Sequence, residues 1–316
     1  MMKKRLLLFL FASGGFGIAN AQQQFQVSQY MFSQMSYNPA YAGSQDQIEL
    51  DGLVRQQWFG FPGAPITSTF NASAPVHPFK TDGGVGLSIV NDQIGISRQT
   101  QLAAAYAFRF NVGNGKLAIG TRVGLVLNAT KFQSLNPKDK NITLPTDDQG
   151  NAFPDIDVGC YYNTEHVWFG ISSLHVSNPV FKYKSGNFEN YQITRTYSVS
   201  AGYRYSLSNP LFELQPSVFT LSDFKITYTD FSALLIYNRR MWGGLSYRTG
   251  NHIFGNAIVI LLGIEMKNGI KFGYSYDFVT SPIRKYNIGS HEITLRYSFK
   301  LSTDKIPQKY KSVRFL

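Results

Sequence analysis

The strongest constraint on this chain is a period-two alternation that recurs, from about residue 44 onward, in segments of roughly ten residues separated by Gly, Asn, Pro and Asp clusters. Phe272, Tyr274, Tyr276 and Phe278 fall on one face of such a segment, opposite Lys271, Gly273, Ser275 and Asp277. Ile293, Leu295, Tyr297 and Phe299 oppose Glu292, Thr294, Arg296 and Ser298 in the same way. Upstream, Leu102, Ala104, Tyr106, Phe108 and Phe110 alternate with Gln101, Ala103, Ala105, Ala107 and Arg109, and Tyr197, Val199, Ala201, Tyr203 and Tyr205 alternate with Thr196, Ser198, Ser200, Gly202 and Arg204. A helix would scatter these side chains around its axis, whereas a strand puts them on two distinct faces.

The alternation predicts strands over 44–57, 66–77, 84–91, 98–110, 116–130, 154–162, 165–176, 191–206, 211–221, 224–237, 241–248, 252–266, 269–279 and 290–300. The connections near Gly113, Asn163, Ser208, Asn238 and Asn268 are tight, while 131–153, 177–190 and 280–289 are long and fall on one predicted side. A soluble sandwich has no reason to sort its loops by side. An even strand number with sorted loops instead predicts an all-β chain closed into an antiparallel transmembrane β-barrel of about fourteen strands, with short periplasmic turns. The segment 252–266 is apolar on both faces at Ile258, Val259, Ile260, Leu261 and Leu262, which implies either a contact inside the lumen or a different register.

Composition supports export to a membrane. Charged residues are 16% of the chain, below the usual quarter, and aromatics reach 15%. Lys3, Lys4 and Arg5 precede the apolar run Leu6 to Ala12, and Ala19-Asn20-Ala21 supplies a signal-peptidase site, so cleavage is expected before Gln22. Loss of those three cations takes the formal charge from +11 to +8. Beyond the signal no run of 18 apolar residues occurs, the longest being Ala257 to Ile264, which rules out a membrane-spanning helix. Cys160 is the single cysteine and is expected in a strand. It leaves no internal disulfide and no lipid-anchor cysteine at the cleavage site.

No catalytic pattern emerges. His77, His166, His175, His252 and His291 are dispersed, without zinc-site spacing, and nucleophile-elbow, phosphate-loop and dinucleotide patterns are absent. The reading is a protein that is not an enzyme and has no cofactor. Asp147, Asp148, Asn151, Asp155 and Asp157 collect oxygen ligands around the longest loop, but without the spacing of a calcium loop, and a solvated face is expected there. Arg109, Arg122, Arg204, Lys271, Asp277, Glu292 and Arg296 point into the barrel by alternation, as suits a watery pore or a lumen knitted shut by ion pairs.

Three stretches are more specific than periodicity. Gln29 to Ser44 contains Asn38-Pro39-Ala40-Tyr41-Ala42-Gly43, and Tyr274-Ser275-Tyr276-Asp277-Phe278 is followed by Gly289-Ser290-His291-Glu292-Ile293. These motifs resemble the PorP/SprF family of type IX secretion system outer-membrane proteins of Bacteroidota. The resemblance implies a barrel similar to the long-chain fatty-acid transporter type. It further implies a part in protein secretion, gliding motility and cell-surface attachment. The partners it implies are a secreted protein with a type B C-terminal secretion domain, the type IX translocon or its associated outer-membrane and periplasmic proteins, and outer-membrane lipid.

The resulting division is a signal peptide at 1–21, an N-terminal segment at 22–43, the barrel at 44–300 and a basic periplasmic tail at 301–316. Asn38-Pro39 is a turn or extended entry, and Gly43 a flexible step into the first strand. The segment's aromatics and amides suit a plug in the lumen or a docking element. Phe153, Tyr183, Phe188 and Tyr286 are expected as partner-binding aromatics on the long loops, where interfacial membrane anchoring is the competing role. The compartment argues against nucleic acid despite the basic charge. A channel for a hydrophobic or small polar solute is the other functional reading.

Overall fold

A computed structural model of the chain describes residues 24–78, 81–132, 148–181, 191–251 and 256–300. Its first seven strands are β1 (Ile48–Gln56), β2 (Ile66–Val76), β3 (Gly83–Ile94), β4 (Ser97–Val112), β5 (Gly115–Thr130), β6 (Gln149–Asn163) and β7 (Val167–Leu174). β8 runs over Thr196–Tyr203 and resumes at Tyr205–Ser206; β9 (Phe212–Ser222), β10 (Thr227–Tyr237), β11 (Met241–Gly250), β12 (Ala257–Glu265), β13 (Ile270–Val279) and β14 (Ser290–Phe299) follow. Each strand pairs antiparallel with its neighbours in sequence, and β1 returns to β14 in a ladder from Ile48↔Phe299 to Gln56↔His291. The result is a closed antiparallel barrel of 14 strands.

Closure explains the inverted burial. Outward positions carry exposed apolar side chains, such as Val54, Val123, Leu245 and Leu295, while Arg55, Arg122, Arg248 and Asp277 are buried inside. A soluble protein could not carry this distribution, but a lipid-facing wall requires it.

The connections sort by end. Residues 113–114, 164–166, 207–211, 238–240 and 266–269 make short turns at the end where both termini of the barrel lie. At the opposite end 57–65 and 280–289 are longer, β5 and β6 and likewise β7 and β8 are separated by longer stretches of sequence, and 95–96 and 223–226 make tight turns.

Some boundaries differ from the alternation pattern. β6 begins at Gln149 rather than 154, because its ladder with β5 continues to Thr130↔Gln149. β1 begins at Ile48 rather than 44, since the Ser44 amide still donates to the Tyr41 carbonyl in the preceding turn. Tyr191–Gln192 pairs with Val180–Phe181 in a separate ribbon, so the wall strand expected from 191 starts at Thr196. In the β8–β9 seam the ladder lapses between Gly202↔Ser217 and Tyr205↔Leu214, where Pro216 has no N–H to donate.

The core lies within the ring. Val27, Tyr30, Met35, Tyr37, Ala40, Tyr41 and Ala42 cluster with wall residues including Ala105, Ala118, Tyr161, Trp168 and Phe219. The two-faced apolarity of β12 has the same origin: Val259 and Leu261 join Leu234 and Trp242 against Met31 and Phe32.

Candidate functional site

The N-terminal segment crosses the lumen as three single 3₁₀ turns, Tyr30–Phe32, Gln34–Ser36 and Pro39–Tyr41. Pro39 opens the last turn, and the Asn38 side chain caps it by accepting from the Ala40 amide at 3.0 Å. Asn38 Nδ2 also donates to the Cys160 carbonyl of β6 at 2.8 Å. One side chain thus ends the turn and fastens it to the wall.

Small residues let the segment approach the wall. A methyl group added at Gly120 would lie 2.5 Å from Ala40 Cα, and one at Gly84 would lie 2.0 Å from the Ala42 carbonyl oxygen. Gly159 and Gly170 leave the corresponding room for the Asn38 amide. The Asn-Pro-Ala-Tyr-Ala-Gly motif is therefore half of a packed contact whose other half is dispersed over β3, β5, β6 and β7. Gly43 adopts φ +67, and its own added methyl would meet Gly84 Cα at 2.7 Å.

Aromatic stacking supports the remaining turns. Tyr30 and Tyr37 both pack on Phe219 at 4.9 and 4.8 Å, Phe32 on Trp242 at 5.0 Å, and Tyr41 on Tyr161 at 5.4 Å. The Tyr30 hydroxyl meets Ser217 Oγ at 2.8 Å. Burial pushes the Tyr30 phenol up to about 12, and also raises Tyr37.

Three groups of buried charges hold the segment. In the first, Arg55 Nη2 donates to Asp277 Oδ2 at 2.6 Å and Arg55 Nη1 to Glu292 Oε2 at 3.2 Å. Arg248 bridges Asp230 at 2.8 Å and Asp277 at 2.9 Å. Into this lattice the segment sets Ser28, whose hydroxyl donates to Asp277 at 2.8 Å and accepts from Arg55 at 2.8 Å. The backbone amides of Ser28 and Gln29 donate to the two Glu292 oxygens, each at 2.7 Å.

In the second group, Arg122 pairs with Asp157 at 2.6 Å and donates to the Met35 carbonyl at 3.1 Å. His175 Nδ1 lies 2.5 Å from Asp155 Oδ2, and its Nε2 lies 3.0 Å from Gln24 Oε1. The third group pairs Arg296 with Glu49 at 3.2 Å and has Arg296 donating to the Phe32 carbonyl. At the lumen exit Asp46 meets Arg109 at 2.8 Å and Lys116 at 3.2 Å. Burial opposes its ionisation, but the two cations outweigh that and hold its carboxyl below the ordinary range.

These positions revise several expectations. Asp155 and Asp157 belong to no solvated loop: the longer β6 turns both into the lumen, each 1% exposed. Their ligand atoms and those of His175 lie within 4.8 Å of one another, but Arg122, Ser177 and the His175 amide already engage the carboxylates. Ion pairing therefore accounts for this cluster without a metal. Asp148 and Asn151 stay near the loop and at the start of β6, and Asp147 is outside the described residues.

Phe153 is likewise no loop tip; it lies in β6 opposite Val126 and packs edge-on against Phe181 at 4.8 Å. Tyr286 is exposed at 69% on the 3₁₀ turn Pro282–Tyr286. Tyr183, Phe188 and the basic tail lie outside the described residues. In the closing motif, Gly289 has φ +108, and Ser290 accepts from the Trp58 amide at 3.1 Å. His291 faces outward, with Nδ1 2.8 Å from the Tyr274 hydroxyl, while Glu292 faces inward.

The segment fills the lumen unevenly. At the short-turn end, beside Phe32 and Trp242, a cavity of about 520 Å³ is bordered by Arg204, Glu213, Lys271 and Gln45. Alternation alone could have found Arg55, Arg248 and Asp230 as inward charges, but their mutual pairing and the Ser28 contact join residues far apart in sequence.

No curated protein matches this chain at a significant level. Among solved structures, the Acinetobacter baumannii outer-membrane protein Omp33 aligns at TM-score 0.46 and 8% identity, over 81% of this chain and 98% of that one. A Pseudomonas aeruginosa FadL homologue aligns at 0.47 and 12%, over 80% and 89%. A deletion mutant of the monoaromatic hydrocarbon channel TodX aligns at 0.47 and 10%, over 88% and 95%. At these identities and scores the likenesses carry no functional meaning. The family profile described as type IX secretion system membrane protein PorP/SprF matches residues 19–297, spanning the lumenal segment, the barrel wall and most of the closing strand. This outer-membrane barrel belongs to the PorP/SprF family of type IX secretion system membrane proteins.

Proposed function

We propose that this barrel serves type IX secretion by binding, with its lumen held shut by the N-terminal segment. The observation that carries this reading is the grip of Glu292, Asp277, Arg55 and Arg248 on Val27, Ser28 and Gln29. A conducting pore would keep such charges hydrated, whereas here they are spent on holding a polypeptide in place. The long-loop end then faces secreted cargo with a type B C-terminal secretion domain. The short-turn end faces translocon or other periplasmic components. The work is recognition and surface attachment, not catalysis.

The test is quantitative mass spectrometry of material co-purified with the full chain from its native outer membrane in mild detergent, against an unrelated barrel. Enrichment of type IX components or of a large surface protein is the expected result. Recovery of the barrel without specific protein partners would overturn the reading.

A second reading, passage of a small solute, draws support from the cavity beside Phe32 and Trp242. It requires the segment to move, and solute flux through purified barrels in liposomes distinguishes it.

A further inference from the structure

At the long-loop end, two loops are bound into one ledge. The Phe59 amide donates to the Gly289 carbonyl at 2.7 Å, the Ile288 amide donates to the Phe59 carbonyl at 3.0 Å, and the Gly95 amide leans on the Gly63 carbonyl at 3.0 Å. Loop 57–65 and loop 280–289 are thereby joined over the β13–β14–β1 wall and steadied by the β3–β4 turn. Backbone pairing of this kind gives the ledge a fixed shape.

Its chemistry is one-sided. Phe59, Phe61, Tyr286 and Ile288 are exposed. Across 57–65 and 280–289 the charged residues are Arg284 and Lys285, with no Asp or Glu. Both cations are exposed, and neither has an ion-pair partner among the described residues.

The ledge continues directly into the lipid-facing wall. The Phe59 ring meets His291 edge-on at 5.4 Å, and His291 contacts Tyr276 at 5.0 Å. Farther along the same face of β14 lie exposed Ile293 and Leu295. Aromatic side chains with one polar end gather at the level of lipid headgroups, and adjacent cations there attract anionic headgroups.

We propose that this ledge is a binding site for a phosphate-bearing lipid of the outer leaflet, with Arg284 and Lys285 taking the phosphate and Tyr286, Ile288 and Phe59 resting in the headgroup boundary. A protein partner fits less well, because the apolar patch is continuous with surface already committed to lipid. The inference rests on the outer-membrane location and is independent of cargo binding.

The test uses the purified full chain in detergent with two probes, bisphosphorylated lipid A and the same lipid with its phosphates removed, and counts retained lipid by native mass spectrometry. The variants are R284Q/K285Q and, at the same end of the barrel but away from the ledge, K225Q. Wild type and K225Q are expected to retain the bisphosphorylated lipid, while R284Q/K285Q loses on the order of tenfold in retention and all three hold the dephosphorylated lipid weakly. Unaltered circular dichroism shows that the double variant is folded. Equal retention of both lipids by wild type, or undiminished retention by R284Q/K285Q, would overturn the proposal. So would loss of a co-purifying protein from R284Q/K285Q with lipid retention unchanged, which would make the ledge a protein interface.

Discussion

The carboxylate of Glu292 receives two consecutive backbone amides, those of Ser28 and Gln29, one on each oxygen at 2.7 Å. No side chain of the segment is needed for this contact, so it does not depend on the amide group of Gln29, although proline there would abolish it. Its strength comes from a charged acceptor in a site from which water is excluded.

Glu292→Ala should therefore release the segment. It removes two charge-assisted bonds and one partner of Arg55, a loss of about 3 kcal/mol or more for a buried pair. Hydrogen exchange at the Ser28 and Gln29 amides should accelerate strongly while the ladder between β4 and β5 stays protected. Unchanged protection at Ser28 would refute this account of the grip.

Asn38→Ala should cost about 1–2 kcal/mol, because it deletes both a turn cap and the bond to the Cys160 carbonyl. Denaturant unfolding measures it. Asn38→Asp keeps the cap acceptor but sets a buried carboxylate oxygen against the Cys160 carbonyl, and is expected to cost at least as much as Asn38→Ala.

Gly120→Val should displace the segment, since an added Cβ at that position lies 2.5 Å from both Ala40 Cα and the Ala40 amide nitrogen. Single-barrel conductance in a planar bilayer should rise relative to wild type. Gly52→Ala is the matched control, with 3.9 Å to its nearest neighbour, and should conduct as wild type does.

Alkali should loosen the lumen before the wall. An unfolded tyrosine ionises near pH 10, whereas Tyr30 in place does so at about 12 and Tyr37 is shifted the same way. The stabilisation from keeping these phenols neutral is full below pH 10 and is lost as pH rises from there through about 12. Tyrosinate absorbance together with protease sensitivity of residues 24–43 should show both changes over that window.

The wall was readable because lipid and lumen make opposite demands on successive residues, so Ile293, Leu295 and Tyr297 against Glu292, Thr294 and Arg296 announce a strand without any partner being known. The extended start of β6 was harder to see, because Pro154 reads as a boundary although its position on the strand leaves the ladder on either side intact. Least visible was the pairing inside. Asn38 meets Cys160, and Arg55 meets Asp277; no local pattern encodes such distances in sequence. The glycine seats give a partial signal, since Gly84, Gly120, Gly159 and Gly273 lie on inward faces where a watery lumen has no use for missing side chains. Read beside an aromatic-rich leader, they mark where a chain passes close.

The same strand that seals the wall against β1 also clasps the leader. β14 meets β1 through its edge and Ser28 through Glu292, so the closing seam and the lumenal segment share one strand. A slip of one residue in that seam would swing Glu292 out toward lipid and free its passenger. The beginning and end of the chain thus meet at a single carboxylate, whose side of the wall depends on the register of the closing seam.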